Sequence, residues 1–301
     1  MPLKASIDIG TNSTRLLIVD MRQDGTLNPV EHHERITKLG EGLSENNELQ
    51  SNAIDRVLAA LVEYQQVIHD YEIDDIRLLA TSATRDAQNR DIFLQHITKK
   101  TGLDCRVLSG DEEAYLSFLG VLSDYKGENF IVCDVGGGSS EIIIAAAKKL
   151  QFAKSLNIGS SRMTQKFLHS DPPLKSQVSA LGGFVQVELH TNFLSADMQR
   201  EIVAVGGTAA SLALIDSSTS EHMSYKVHHY ALTSNRLEKI ITELAEKNID
   251  SRRSIIGLHP KRADVILAGA LIFAEIMQFC QQDCMTISLR DLLFGVFLEE
   301  R

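Results

Sequence analysis

Two stretches about a domain length apart follow one plan. SIDIGTNSTRLLIVD, residues 6–20, and VCDVGGGSSEIIIAA, residues 132–146, each place an Asp, one apolar residue, a glycine, a small polar turn and then an apolar run. Aligned, Asp8 falls on Asp134, Gly10 on Gly136 and Arg15 on Glu141. Each reads as a β-hairpin, because apolar runs flank a turn built on glycine. A chain that uses this plan twice is constrained to two domains built alike. The boundary is expected near Ser123–Gly127, giving domains over 1–124 and 125–301, with the last helix allowed to pack back on the first. Two such domains are expected to face each other across a cleft.

The remaining sequence alternates strand and helix signals, which argues α/β architecture. Helices are expected over Ser51–Tyr71, Asp86–Lys100 (stopped at Gly102), Ser109–Leu122 and Gln177–Leu194. Lys154–Leu168 reads as a strand end followed by a short helix, and residues 216–230 as a polar loop. DIRLLATSA, CRVL, EIVAV and MTISL read as strands. The formal net charge of −10 argues against general nucleic-acid binding, which needs clustered Lys and Arg. No apolar run reaches the roughly 18 residues of a membrane span. The N-terminus lacks the shape of a signal peptide. The four cysteines read as buried small hydrophobes or helix-end residues rather than zinc ligands, and reduced thiols point to the cytoplasm.

Three successive glycines exceed what a turn needs. They strip side chains from the backbone, so that N–H groups can converge on an anion such as phosphate. Gly136, Gly137, Gly138 and Ser139 are therefore candidate phosphate-binding residues. An ordinary hairpin turn remains the alternative. Thr11, Asn12 and Ser13 in the first hairpin are candidates of the same kind, although such residues also dominate plain turns. Gly207 and Thr208 open a helix after EIVAV, where free N–H groups favour anions; a plain strand-to-helix connection explains them about as well. Asp134 and Glu141 would repel phosphate unless a cation intervenes. Mg²⁺ takes carboxylates together with phosphate oxygens, so these two acids are candidate metal ligands.

SGDEEAYLSF opens a helix with Ser109 and Glu112 at capping-box spacing. Glu113 lies one residue on, about 100° around the helix, and is either a solvated first-turn acid or a base. Arg85, in ATSATRDAQN, stands where a cation is mildly unfavourable. It suits either phosphate or a pairing with Asp86 or Asp91. Lys261 and Arg262 mark a helix start and could also help to hold an anion. The pairs His32–His33 and His228–His229 lack ligand spacing and read as surface residues.

In order along the chain, IDIGTNSTRLLIVD, ATSATRDAQN, LSGDEEAYLSFLGV, CDVGGGSSEI, SLNIGSSRMT, AVGGTAAS and HPKRADVILAGA resemble the exopolyphosphatase/guanosine pentaphosphate phosphohydrolase (Ppx/GppA) family. The resemblance covers nearly the whole chain. It implies two actin-like domains of RNase H-like fold, within the actin/hexokinase/Hsp70-like (ASKHA) superfamily. It implies hydrolysis of terminal phosphoanhydride bonds of polyphosphate or pppGpp, with Glu113 as catalytic base, Arg85 on phosphate, and Asp134 and Glu141 beside Mg²⁺. A homodimer is expected from the family alone. A phosphotransferase on the same fold, or a non-catalytic (p)ppGpp sensor, are the competing readings. The chain departs from the resemblance in two ways. Long family members continue into a helical HD-like domain, so a weaker grip on long polyphosphate is expected here. LLFG also stands at Leu292–Gly295, where the family often has LREG.

Overall fold

The protein is described by a computed structural model covering residues 3–299, the side chains of Ser44, Glu45, Ser195, Ala196 and Glu221 excepted. The chain forms two compact units: Met1–Asp124 with Leu292–Arg301, and Tyr125–Asp291.

The first unit begins as an antiparallel meander of β1 (Leu3–Ile9), β2 (Ser13–Met21) and β3 (Leu27–Ile36). After α1 (Leu43–Asn46) and α2 (Ser51–Asp70), β4 (Asp75–Ala80) returns parallel to β1. Next come α3 (Ser82–Asp86), α4 (Arg90–Thr101), β5 (Cys105–Val107), which is parallel to β4, and α5 (Gly110–Leu122). The sheet order is β3-β2-β1-β4-β5.

The second unit repeats the plan. β6 (Phe130–Val135), β7 (Ser140–Ala146) and β8 (Lys149–Leu156) form the meander. α6 (Ser160–Phe167) and α7 (Lys175–Asn192) lead to β9 (Glu201–Val205), parallel to β6. α8 (Gly206–Asp216), β10 (Ala231–Thr233), α9 (Ser234–Glu246), α10 (Ile249–Arg252) and α11 (Ile266–Phe279) precede β11 (Cys284–Ile287), which lies parallel to β9. The order is β10-β11-β9-β6-β7-β8. Counted from the meander edge, 3-2-1-4-5 and 8-7-6-9-11 are the same topology. The expected pair of actin-like α/β domains is what the chain forms.

Burial follows sheet position. β6 and β7 are central, and all but the last of their residues are buried. That is why they read as near-continuous apolar runs. The edge strand β3 carries Glu31, His32, His33, Glu34 and Arg35, with Pro29 at a register irregularity. Charge, proline and a bulge are how edges avoid stray pairing, and they also hide the strand from a hydrophobic pattern. Alternation on β1 and β2 sends Ile7, Ile9, Leu16 and Ile18 into the cluster under α2 and α4, and Leu17 and Val19 into the one with Leu116, Leu293 and Phe294. α12 (Leu292–Gly295) packs in that second cluster, where Ser6 Oγ donates to the Leu293 carbonyl at 2.8 Å. Gly295 lies against the Leu116 carbonyl with no room for a Cβ, so the glycine of LLFG has a packing reason.

The helix expected from Asp86 to Lys100 is broken. Ala87 is extended, and α4 starts only at Arg90. The Asn89 amide makes two bonds to the Leu49 backbone, at 2.9 and 3.0 Å, which hold the intervening turn out of the helix. No helix among the described residues is long and apolar enough to cross a membrane.

Candidate active site

The glycine turn of the second unit is closed by Gly136 N–H donating to Ser139 O at 3.0 Å. The carbonyls of its three glycines face the start of α6. Gly136 O accepts from Ser160 N at 2.8 Å, and Gly137 O from Ser161 N at 2.9 Å. Gly138 O accepts from Gly159 N at 3.3 Å and from Arg162 Nε at 2.8 Å. In a trans peptide the N–H points opposite to the C=O. The N–H groups of Gly137, Gly138 and Ser139 therefore all point away from α6. Successive amides aimed the same way form an anion-binding concavity. The approach is close enough that a Cβ on Gly159 would lie 2.4 Å from Gly137 and Gly138 backbone atoms.

The first unit builds the same turn with side chains present. Gly10 N–H donates to Ser13 O at 2.9 Å. Thr11 O accepts from Gly40 N at 2.9 Å, and Asn12 O from Lys38 N at 2.9 Å. The Asn12 and Ser13 N–H groups thus face away from segment 37–40. In both units the segment after the third meander strand absorbs the turn's carbonyls. Sequence reading found the turns but not these backing segments. The small-polar run GSSR, residues 159–162, was the available signal.

Register places Asp134 directly across from Glu141, and both carboxylates are buried. Glu141 Oε1 accepts from Ser155 Oγ at 2.7 Å. Asp134 Oδ1 lies 2.5 Å from where a Cβ of Gly206 would stand, and Gly206 has φ +84°. Only glycine satisfies both the left-handed backbone and this approach. Like charges opposite each other on neighbouring strands are destabilising. An all-oxygen acidic pair beside an amide concavity suits a hard divalent cation. In the first unit the equivalent pair is Asp8 and Arg15, 2.7 Å apart.

α8 begins at Gly206 itself, so the expected glycine turn is the helix's first turn. Thr208 Oγ1 donates to Val135 O at 2.8 Å, and Gly207 O accepts from Arg262 Nη1 at 3.1 Å. The Arg262 guanidinium packs over Gly207, where a Cβ would go. Arg262 thus staples α8 instead of standing open to an anion. What the Gly207–Thr208 loop offers a phosphate is first-turn backbone N–H, the hydroxyl proton being directed at Val135.

The remaining candidates meet in the first unit. Ser109 and Glu112 form the expected capping box, at 2.8 and 3.2 Å. Glu112 also takes a 2.7 Å contact from Arg106. That guanidinium, with the Ser109 amide, brings its carboxyl down to about 2. Glu113 is buried and points elsewhere: its Oε2 accepts from Arg85 Nη1 at 2.9 Å. The same Nη1 reaches Leu108 O at 2.9 Å. Arg85 therefore pairs with Glu113, and not with Asp86 or Asp91 as sequence proximity suggested.

Two α/β units of one topology, each with a glycine turn and a buried aspartate at a strand end, define a two-domain protein of the actin-like class. The chain belongs to the Ppx/GppA phosphatase family, whose sequence model matches residues 17–301. It is 35% identical to the bifunctional 3-dehydroquinate synthase/phosphatase of Fusobacterium nucleatum over 99% of this chain and 46% of that protein, and so spans about half of its length. It is 32% identical to exopolyphosphatase 2 of Mycobacterium tuberculosis, over 98% of this chain and 97% of the relative. It is 29% identical to the guanosine-5'-triphosphate,3'-diphosphate pyrophosphatase of Vibrio atlanticus, over 99% of this chain and 59% of that one. The structure of the Aquifex aeolicus PPX-GPPA enzyme superposes with a TM-score of 0.83 at 31% identity, covering 99% of both chains.

Proposed function

We propose that this protein hydrolyses the terminal phosphoanhydride bond of inorganic polyphosphate, of pppGpp, or of both, releasing orthophosphate. The observation that carries the reading is the Gly137–Ser139 amide concavity beside the buried Asp134–Glu141 pair. Backbone N–H groups of residues 137–139 and of the first turn of α8 hold phosphate oxygens, and those of the Thr11–Ser13 turn are candidates of the same kind in the first unit. Asp134 and Glu141 hold Mg²⁺, which offsets negative charge on the phosphoryl group when bound. Glu113 accepts a proton from the attacking water. The new P–O bond forms as the bridging P–O bond breaks, and the shortened polyphosphate or nucleotide leaves with the electron pair. Arg85, which pairs with Glu113 at 2.9 Å, contacts phosphate. Transfer of this kind rests on positioning and electrostatics more than on covalent chemistry.

The assembly proposed is a homodimer in the cytoplasm, which sedimentation and fractionation check. The direct test is phosphate release from polyphosphate of several lengths, pppGpp and ATP, with and without Mg²⁺. Glu113→Gln is expected to fold normally and to lose about 10²–10⁴-fold in turnover, the usual size of a general-base effect. Unchanged turnover would remove Glu113 from the mechanism. Phosphorylation of a small metabolite without free phosphate would replace hydrolysis by transfer.

A further inference from the structure

We propose that segment 292–299 is a brace that positions Glu113: it is fixed to β1 at Ser6 and to β5 at Arg106, and between those points Gly295 bears on the Leu116 carbonyl of α5. Its effect on turnover rests on Glu113 as the base proposed above; its hold on α5 does not.

The brace belongs to the first unit. Leu293 and Phe294 stand where the resembled family often has Arg and Glu, and both are buried in one cluster with Leu108 and Leu116. At the near end Ser6 Oγ donates to Leu293 O at 2.8 Å. At the far end Arg106 grips the Glu299 carboxylate with two nitrogens, Nη1 on Oε2 at 2.7 Å and Nη2 on Oε1 at 3.0 Å. A fork on a carboxylate fixes orientation as well as distance. Between the two ends, Gly295 O accepts from Leu298 N at 2.9 Å and from Glu299 N at 3.2 Å. The gripped residue and the bearing residue thus lie on one turn of chain and move together.

A Cβ on Gly295 would overlap the Leu116 carbonyl and lie 3.1 Å from Gly120 N. Those two groups are four positions apart, the spacing of one backbone hydrogen bond of α5. The brace therefore touches helix backbone, which cannot swing aside as a side chain can. Leu116 follows Glu113 by three residues, the spacing of helix neighbours. Arg85 Nη1 has two acceptors, Glu113 Oε2 and Leu108 O, both at 2.9 Å. Leu108 packs in the brace's own cluster, and Glu113 rides on the helix the brace bears against. Both acceptors shift if the brace lifts. A general base must stand within hydrogen-bond reach of its proton, and a misplacement of about 1 Å can cost about 10²-fold in rate. Gly295 and Glu299 are on this reading positioning residues.

The test is the kinetics of phosphate release from polyphosphate, with Mg²⁺, on the full-length protein. Gly295→Ala is expected to lower kcat about 10–10²-fold and Glu299→Ala about 3–10-fold, each with KM changed by less than about 2-fold. In a Glu113→Gln background the same changes are expected to cost less than about 2-fold, since the brace acts through that side chain. Equal losses in both backgrounds, the mark of a segment that only holds the fold together, overturn the proposal. So does wild-type kcat in a folded Glu299→Ala variant. If Gly295→Ala does not fold, Glu299→Ala decides, because it changes a partly exposed ion pair. Hydrogen exchange reads the hold on α5 without turnover. In Glu299→Ala the amides of residues 113–120 are expected to exchange at least about 5-fold faster while those of α2 do not change. Unchanged exchange in α5 overturns the brace. Full turnover in Glu113→Gln, or none in wild type, defeats the base assignment, and the exchange result then decides the brace by itself.

Discussion

The β1–β2 and β6–β7 hairpins have one backbone and two electrostatic designs. Both turns have their carbonyls drawn backward, by segment 37–40 in one unit and by residues 159–162 in the other. Both then present N–H groups on the opposite side. In the first hairpin Thr11 is buried, and its Cγ2 fills the space beside Gly40. In the second, glycines leave the backbone bare. Arg15 neutralises Asp8 from within the fold, whereas Glu141 doubles the charge at Asp134. The backbone plan is shared, and one cross-strand residue sets the charge beside each turn.

Glu141→Arg is the hardest test of this contrast, because it converts the second hairpin into the first. Under the proposed function, turnover should fall by more than about 10³-fold, because the proposed metal carboxylate is lost. Thermal stability should hold or rise, since a like-charge pair is removed. Phosphate-release assays and melting curves on one preparation read both. Activity near wild type would show that Glu141 is not needed to hold an ion.

Arg15→Met leaves the Asp8 carboxylate buried without its counter-ion. Breaking a buried pair by removing one partner costs about 3–5 kcal/mol. Urea unfolding at neutral pH should show a loss of that size, and a loss under about 1 kcal/mol would place the pair in the class of weak surface bridges.

Gly206→Ala tests what holds Asp134. Gly206 stands at φ +84°, in the left-handed region that favours glycine. An alanine there costs about 1–3 kcal/mol in backbone strain and pushes its Cβ into Asp134 Oδ1. Activity should fall further than stability does.

Glu112→Gln is the control acid, one residue from Glu113. Its carboxyl is held down to about 2 in the folded protein, below the ordinary glutamate value of about 4.3. The stabilisation is therefore present above about pH 4.5 and is lost as pH falls through about 2. Glutamine should flatten that part of the acid-unfolding profile by under about 1 kcal/mol, the group being largely exposed, and leave turnover unchanged.

Much of this was readable along the chain because it is local. The hairpin echo, the capping box at Ser109 and the glycine turns each occupy a few consecutive residues. The strand β3 was not readable, since Glu31 to Arg35 give an edge strand no apolar alternation. Nor was the break at Ala87, because Asn89 finds its partner at Leu49, forty positions away. Arg85 offered two nearby acids in the sequence, and its partner is a third, 28 positions on.

The sequence alone determined where the turns fall, which residues are small enough to bare the backbone, and which charges stand at the strand ends. Those depend on side-chain size, φ preference and strand period, all local quantities. Tertiary structure decided which way the amides face. Anchoring a peptide's C=O fixes the opposite direction of its N–H, and here the anchoring donors lie 20 to 30 residues downstream. It also decided that Glu113 is buried against Arg85 while Glu112 is spent on a cap, because burial belongs to the packed element and not to the residue.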